Sequence, residues 1–573
     1  DTRTYSSDSV TSGYDFQQLL EQLSPSTPSA ILSATHDYRD AHAAYRKGAE
    51  YVLSGEQFLS VMNLFFLHLD ETGKLISRIR NYDQRRNLSN TIAYWQRRKD
   101  LLCFGDKCYH MINHSFEHAS DNWDLLNQFV EVLYDLERFN SDKKYKEDKI
   151  STVADEDIYA LSLGVWLHDI GHRGNSEYGM AADIRDNHGM IGAEFILNNP
   201  KLLEIKESGS NSDEGWYDNY YDRAKLAKSN KRNKAKTLPQ IMLERTRTPQ
   251  TRPLTVLEKT ALYAMYHKSN APLNIEDVEF LKKTKKKIPA EYYYPSKDPT
   301  KHPVPITLHC ILSKRVSEKQ KAQFMKLIVL FRLVDGLDIR RVRVGDAKEK
   351  ELKTKVIEQD LEFNLMRLNR LATRINKELA KSESDGRNGT TPKIELYPRN
   401  KKERGFNLPE FSRGDYKGVD EGLLDNYQRT LGYAKFISVQ TGHFELHNSV
   451  DSINVIPPKK KDDPLTIRYK LNKTREAMAG TVVREGDREM SVWEKLFGNE
   501  SSGKDGLPYA FGELKTGYGY VLDWLRLETG IRLEMDMPYS ETKQKAHKKD
   551  ATDRHIESRL IKFNKDGFVE GGN

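Results

Sequence analysis

The chain has 573 residues, with 91 Lys and Arg against 84 Asp and Glu and a formal net charge of +7. An apolar share of 37%, with 29 Tyr, 21 Phe and 6 Trp, supplies a large core and excludes a wholly disordered, collagen-like or low-complexity chain. Cys103, Cys108 and Cys310 are too few for a disulfide framework and read as ordinary thiols of a reducing compartment. The longest apolar run, from Leu327 to Val334, is broken by Arg332 and is too short to span a membrane. The opening DTRTYSSDSV lacks the basic and apolar regions of a signal peptide, so the expectation is a soluble, cytoplasmic protein with no membrane association.

The first thirty or so residues are rich in Ser, Thr and Pro and read as an arm. Helical periodicity dominates from about Asp37 to Trp95, as in FLSVMNLFFLHLDETGKLISRIRNY, where apolar residues recur at steps of three and four. Residues 1–100 thus form an arm and helical lead-in. Residues 101–381 form a helical domain carrying two polar insertions, at 201–253 and 282–316. Residues 382–573 change texture, because Gly and Pro punctuate short alternating runs such as KIELYP, HFELHNSVDSINVIPP and LTIRYKL. The last two runs read as a hairpin, 512–533 reads as a helix and a strand, and the charged last thirty residues read as a solvated tail. The fold class is therefore mainly α, with a smaller α+β C-terminal region.

Five segments place His and Asp where metal coordination wants them. NHSFEHASDNWDLL is helical, with His114 and His118 four residues apart and on one face. DEDIYALSLGVWLHDIGHRGN is an apolar helix that ends on His168 and Asp169, followed by Gly171, His172 and Arg173. Burying such a polar pair is costly without a partner, and a metal is one such partner. His188 opens a short helix in DNHGMIGAEFIL, His267 closes one in LEKTALYAMYHKSNAPL, and Asp335 and Asp338 end the apolar FMKLIVLFRLVDGLDIRR. Each has an ordinary reading alone, as a cap or a satisfied polar group. The ordered set supplies imidazole and carboxylate ligands suited to one or two divalent first-row metals, and the Asp169 carboxylate can bridge a pair.

This pattern resembles the HD-domain metal-dependent phosphohydrolase superfamily. FEHAS and LHDIGH are similar to motifs of its dNTP triphosphohydrolase branch, and DNHGMIGAEFI and AMYHKSNAP to the extra-histidine motifs of its cyclic-dinucleotide phosphodiesterases. FRLVDGLD resembles the closing helix of the superfamily. The likeness runs from about His114 to Arg341, about two-fifths of the chain. His172 stands where the HD-GYP phosphodiesterases carry Lys, their GYP triplet is absent, and the Pro-Phe that follows the motif in dNTP hydrolases is replaced within HRGNSEYG.

The resemblance implies a helical HD-domain core in which His118, His168, Asp169 and Asp335 hold one metal, with Asp169 bridging to a second held by His188 and His267. Mn, Fe, Mg and Zn all suit that donor set. His172 is then placed as an acid or phosphate ligand, Arg173 and Lys268 as stabilisers of developing charge, and Asp169 as a catalytic as well as a metal-binding group. His114 orients His118 or touches substrate, while Glu194 and Asp338 are candidates for fixing imidazole tautomers. Related enzymes self-associate, which implies a homo-oligomer.

Charge is uneven along the chain. Between Arg223 and Arg252 ten Lys and Arg face the single acid Glu244, and Lys282–Lys287 leads into Tyr292, Tyr293 and Tyr294. Lys231, Arg232, Tyr292 and Tyr293 are therefore candidate substrate-binding residues, through phosphate attraction and base stacking. The function expected is two-metal hydrolysis of a phosphate ester of a nucleotide, a dNTP or a cyclic (di)nucleotide. One alternative is a nuclease acting on single-stranded DNA or RNA. Another is a nucleotide-binding regulatory or scaffold protein without turnover.

Overall fold

A computed structural model describes, with short interruptions, residues 75–95, 112–139, 149–174, 181–205, 237–245, 253–294, 303–345, 347–384, 393–396, 411–498, 508–540 and 553–570, and short strands at 30–33 and 51–54. The protein is mainly α, with a small sheet in its C-terminal part. Seven helices place the site: α1 (Phe116–Phe139), α2 (Asp155–Leu167), α3 (Ala181–Asn198), α4 (Val256–Tyr266), α5 (Glu318–Leu337), α6 (Ala347–Ser384) and α7 (Glu421–His447).

Local chemistry accounts for where these helices begin. α2 opens on Asp155, Glu156 and Asp157, which favour the positive end of the helix dipole. α4 and α5 open on capping boxes, Thr255 with Glu258 and Ser317 with Gln320, each satisfying two otherwise orphaned N–H groups. α2 is the central helix: Asp157 to Leu167 are all buried, as expected for a segment apolar on every side. Phe129, Trp166, Tyr263 and Phe331 of α1, α2, α4 and α5 meet in one core.

That same core continues into the C-terminal part. Strands β1 (Val450–Ile456), β2 (Leu465–Leu471), β3 (Ile531–Pro538), β4 (Arg554–Asn564) and β5 (Gly567–Glu570) form a sheet in the order β5-β4-β3-β2-β1. All pairings are antiparallel except β2 with β3. Ile453, Ile467, Leu533 and Phe563 share the cluster that holds Trp166 and Phe331. α6 and α7 pack along each other through Leu368, Leu371, Ile375 and Leu379 against Leu423, Tyr427 and Leu431, a seam with helical spacing.

Several local expectations are corrected. The β1–β2 hairpin forms, but HFELH belongs to the end of α7. The charged terminus is not a solvated tail, since β4 lies between β3 and β5 and buries Arg559, Ile561 and Phe563 at alternate positions. Charge density concealed that period of two. Ala30–Ser33 pairs in parallel with Tyr51–Ser54, so a strand stands inside the stretch expected to be helical. The second insertion contributes to the core: Ile288, Tyr292, Ile306, Leu308 and Ile311 are buried in the main cluster. In the first insertion Leu203, Leu238 and Met242 are buried likewise, whereas Lys231 and Arg232 lie outside the described residues. Cys310 is exposed, and Cys103 and Cys108 also lie outside the described residues. Among the described residues no helix is long and apolar enough to cross a membrane.

Candidate metal centre

The end of α2 tightens into a 3-10 turn, His168–Arg173, which aims His168, Asp169 and His172 into one buried space. α3 lies directly against this turn. A Cβ at Gly171 would overlap the His188 carbonyl, so only glycine permits this approach. On the other side of α3, a Cβ at Gly189 would stand 2.7 Å from the Ala264 carbonyl of α4. Two glycines thus let α3 sit close enough to both neighbours for His188 and His267 to meet beside Asp169.

The two oxygens of the Asp169 carboxylate face different histidines. Oδ2 lies 3.4 Å from His118 Nε2 and 3.3 Å from His168 Nε2. Oδ1 lies 3.2 Å from His188 Nε2 and 3.6 Å from His267 Nε2. Asp335 Oδ1 completes the first group at 3.0 Å from His118 Nε2 and 3.4 Å from His168 Nε2. All four imidazoles and Asp169 are buried.

The far side of every ring is anchored. His118 Nδ1 donates to Asp338 Oδ2 at 2.6 Å. His168, His188 and His267 donate from Nδ1 to the carbonyls of Val165, Arg185 and Ala264, at 2.9, 2.7 and 2.7 Å. A ring that donates through Nδ1 while neutral keeps its lone pair on Nε2. With all four rings neutral, four Nε2 lone pairs would converge on one carboxylate; His188 Nε2 stands 2.9 Å from His267 Nε2 with no proton between those two neutral rings. His168 Nε2 faces two carboxylates, 3.3 Å from Asp169 and 3.4 Å from Asp335, and while neutral offers them no proton. A cation relieves both, and the donor set of imidazole and carboxylate fits a divalent metal. These buried clusters could hold a metal ion.

Electrostatics point the same way. Burial pushes the Asp169 carboxyl up, but His168 and His172 outweigh it and hold it well below the usual range. Burial likewise opposes ionisation of Asp335, yet its bonds to His118 and His168 hold it ionised. Burial lowers His168, and Asp169 and Asp335 overcome that and raise it to about 10. Burial lowers His188 and His267 below their ordinary value, which keeps them neutral. Without another cation, the cluster draws a proton onto His168.

Other candidates fall into place unevenly. His172 stacks between His114 and His188, at 4.2 and 4.1 Å between ring centroids, and both its nitrogens lack hydrogen-bond partners among the described residues. His114 precedes α1 rather than sharing its face with His118, and it lines the cavity. Lys268 lines it too, with Nζ donating to the carbonyls of Arg185 and Asp186. Arg173 instead stacks over Phe195, 4.1 Å from its ring centroid, and is not among the residues lining the cavity. Tyr292 is buried against Tyr266 and donates to the Met265 carbonyl, while Tyr293 packs on the same core, so neither faces the cavity as a stacking platform. Glu194 also lies outside the lining, whereas Asp338 anchors His118.

The cavity has a volume of about 360 Å³, within the range of small-ligand sites. Part of its wall comes from residues that the sequence motifs leave out: Arg185, Arg343, His443, His447 and Tyr509. Asn122 is a further omission, donating to Asp335 Oδ1 at 3.1 Å from one turn beyond His118. Asn122 sits four residues past a candidate ligand on the same helix face, which is a readable signal. His443 and His447 carry no such mark.

No protein-family model, curated protein or solved structure matches the chain.

Proposed function

We propose that the protein is a metal-dependent phosphohydrolase of the HD type, acting on a nucleotide phosphate ester. The observation that carries this reading is the Asp169 carboxylate, with one oxygen toward His118 and His168 and the other toward His188 and His267. Asp169, His118, His168 and Asp335 would hold one cation, and Asp169, His188 and His267 a second.

Divalent ions bound there would supply Lewis acidity at a phosphoryl oxygen and a nucleophilic water at neutral pH. The rest of the chemistry belongs to the chain. Anchoring of each Nδ1 holds the four rings in the tautomer and orientation that ligation needs. Lys268 is tethered by two carbonyls at the cavity edge, where its charge can meet a phosphate oxygen. His172, neutral because burial lowers it, has no hydrogen-bond partner among the described residues and stands beside Asp169, where one ring nitrogen can take the proton that a water gives up while the other gives its own to a leaving oxygen.

The test is direct. The full chain, purified anaerobically, is assayed for bound metal. It is then screened with Mn²⁺ or Fe²⁺ against dNTPs, cyclic dinucleotides and single-stranded DNA and RNA. The reading expects metal in the wild type and loss of both metal and turnover in Asp169→Ala. A wild-type chain that holds no metal overturns it.

A further inference from the structure

The cavity beside the histidine–aspartate cluster carries a second set of groups with the opposite electrical character. Arg185, Lys268 and Arg343 line it, whereas the carboxylates among its described lining residues, Asp169, Asp335 and Asp338, are all engaged by histidines. Arg343 is 5% exposed and fixed through Nε to the Asn113 carbonyl and through Nη1 to the Asp338 carbonyl, at 2.9 and 2.7 Å. Nη1 also lies 3.8 Å from the Asp338 carboxylate, so the Arg343 charge is held at the cavity and partly balanced there rather than free to swing into solvent.

His443 of α7 supplies the decisive detail. Its Nε2 lies 3.5 Å from Arg185 Nη2, and a guanidinium can only donate. Nε2 is therefore the acceptor, and the ring proton sits on Nδ1. That Nδ1–H has no hydrogen-bond partner among the described residues, although His443 is only 6% exposed. A buried donor left unmatched is costly, so an acceptor is wanted where His443 lines the cavity. Tyr509 packs edge-on against the ring at 5.8 Å, and Lys495 stands 5.0 Å over the Tyr509 ring, which holds His443 in place.

Spacing relates this set to the cluster. Arg185 precedes His188 by three residues on α3, a separation of about 5–6 Å between β carbons on one helix face. Lys268 directly follows His267. A second anionic group on the ligand must then lie close to the first, as linked phosphoryl groups do. We propose that Arg185, Lys268, Arg343 and His443 form an anion subsite adjoining the cluster. The ligand that spans both is an oligophosphate, with one phosphoryl group at the cluster and a linked one at the subsite. The placement of the first phosphoryl group rests on the hydrolase reading above; the subsite itself does not.

The test is calorimetric titration of the full chain, after chelator treatment, with inorganic pyrophosphate and with orthophosphate. Pyrophosphate is expected to bind at least tenfold more tightly than orthophosphate. R185Q and H443F should each weaken pyrophosphate at least tenfold, while R185K stays within about threefold of wild type. Equal affinity for the two anions, or wild-type pyrophosphate binding by both R185Q and H443F, overturns the subsite. So does displacement of pyrophosphate by a single-stranded oligonucleotide at equal phosphate concentration. If R185Q and H443F fail to fold, H443N decides, because its amide replaces the Nδ1 donor: retained pyrophosphate binding supports the subsite and lost binding in a folded H443N overturns it. A chain that binds no metal yet prefers pyrophosphate through Arg185 and His443 refutes the hydrolase reading and leaves the subsite standing. A chain that binds metal without that preference refutes the subsite alone.

Discussion

His118 donates its Nδ1 proton to Asp338 at 2.6 Å, and the same ring turns Nε2 toward Asp335 at 3.0 Å. Asp338 is fully buried and is itself held by Arg340 at 2.9 Å, so the carboxylate that orients the ring is immobilised in turn. Replacing the orienting carboxylate weakens a metal site without touching a ligand. Asp338→Asn is expected to lower metal affinity about 10–100-fold, read by competitive chelator titration. Unchanged affinity in a folded variant would remove Asp338 from the site.

The two faces of Asp169 predict unequal losses. Asp335→Asn removes a group facing only His118 and His168, so one bound metal equivalent should persist at His188 and His267. Asp169→Asn removes the group common to both sets and should abolish both equivalents. Elemental analysis of the two variants distinguishes them, and equal stoichiometry would contradict a shared carboxylate.

Gly171→Ala tests the approach of α3 to the 3-10 turn. The added methyl would meet the His188 carbonyl, which is backbone and cannot rotate away. A loss of at least about 1–3 kcal/mol in denaturant unfolding is expected, with reduced metal content. Wild-type stability and metal content would show that α3 has room to retreat.

Glu258 holds two roles at the start of α4. It closes the capping box with Thr255 and receives Arg315 at 2.8 Å, where both side chains are almost wholly buried. Glu258→Gln keeps a capping amide but strands the guanidinium, and should cost about 3–5 kcal/mol. Thr255→Ala, which removes only the cap, should cost about 1 kcal/mol. Equal losses in urea titrations would mean that the ion pair contributes nothing beyond the cap.

Asp277 gives a pH dependence. Burial pushes its carboxyl up to about 7 against the opposing charge of Arg332 and the bond from the Leu273 amide. The folded state therefore binds the proton more tightly than the unfolded chain does. Its contribution is fully present below the unfolded pKa of about 4 and is lost as pH rises toward 7. Asp277→Asn should remove that loss, so its Tm gains on the wild type as pH rises from 4 to 7. Parallel Tm curves would exclude a raised carboxyl.

The cluster was legible because its residue types are conspicuous where they stand: His168 and Asp169 close an apolar helix, and His267 and Asp335 end two more. Chain order and helix ends suffice to suggest that they gather. The cavity wall was not legible, because Arg185, Arg343 and His443 look like ordinary surface residues until folding turns them inward. Tyr292 and Arg173 misled for the converse reason. An aromatic beside lysines can fill core, and a cation beside a motif can stack on a neighbouring Phe195. The β4 strand was hidden because its outward residues are charged, and composition averages over faces that a strand keeps apart.

The bond between His118 and Asp338 joins residues 220 apart in sequence, and His443 and His447 reach the same cavity from still further along. During synthesis, a chain emerging from its N-terminus exposes His168 and Asp169 long before α5 and α7 exist to enclose them. Contacts of such long range form late and slowly. A cation held by this cluster would therefore be selected by a nearly finished molecule rather than by the growing chain.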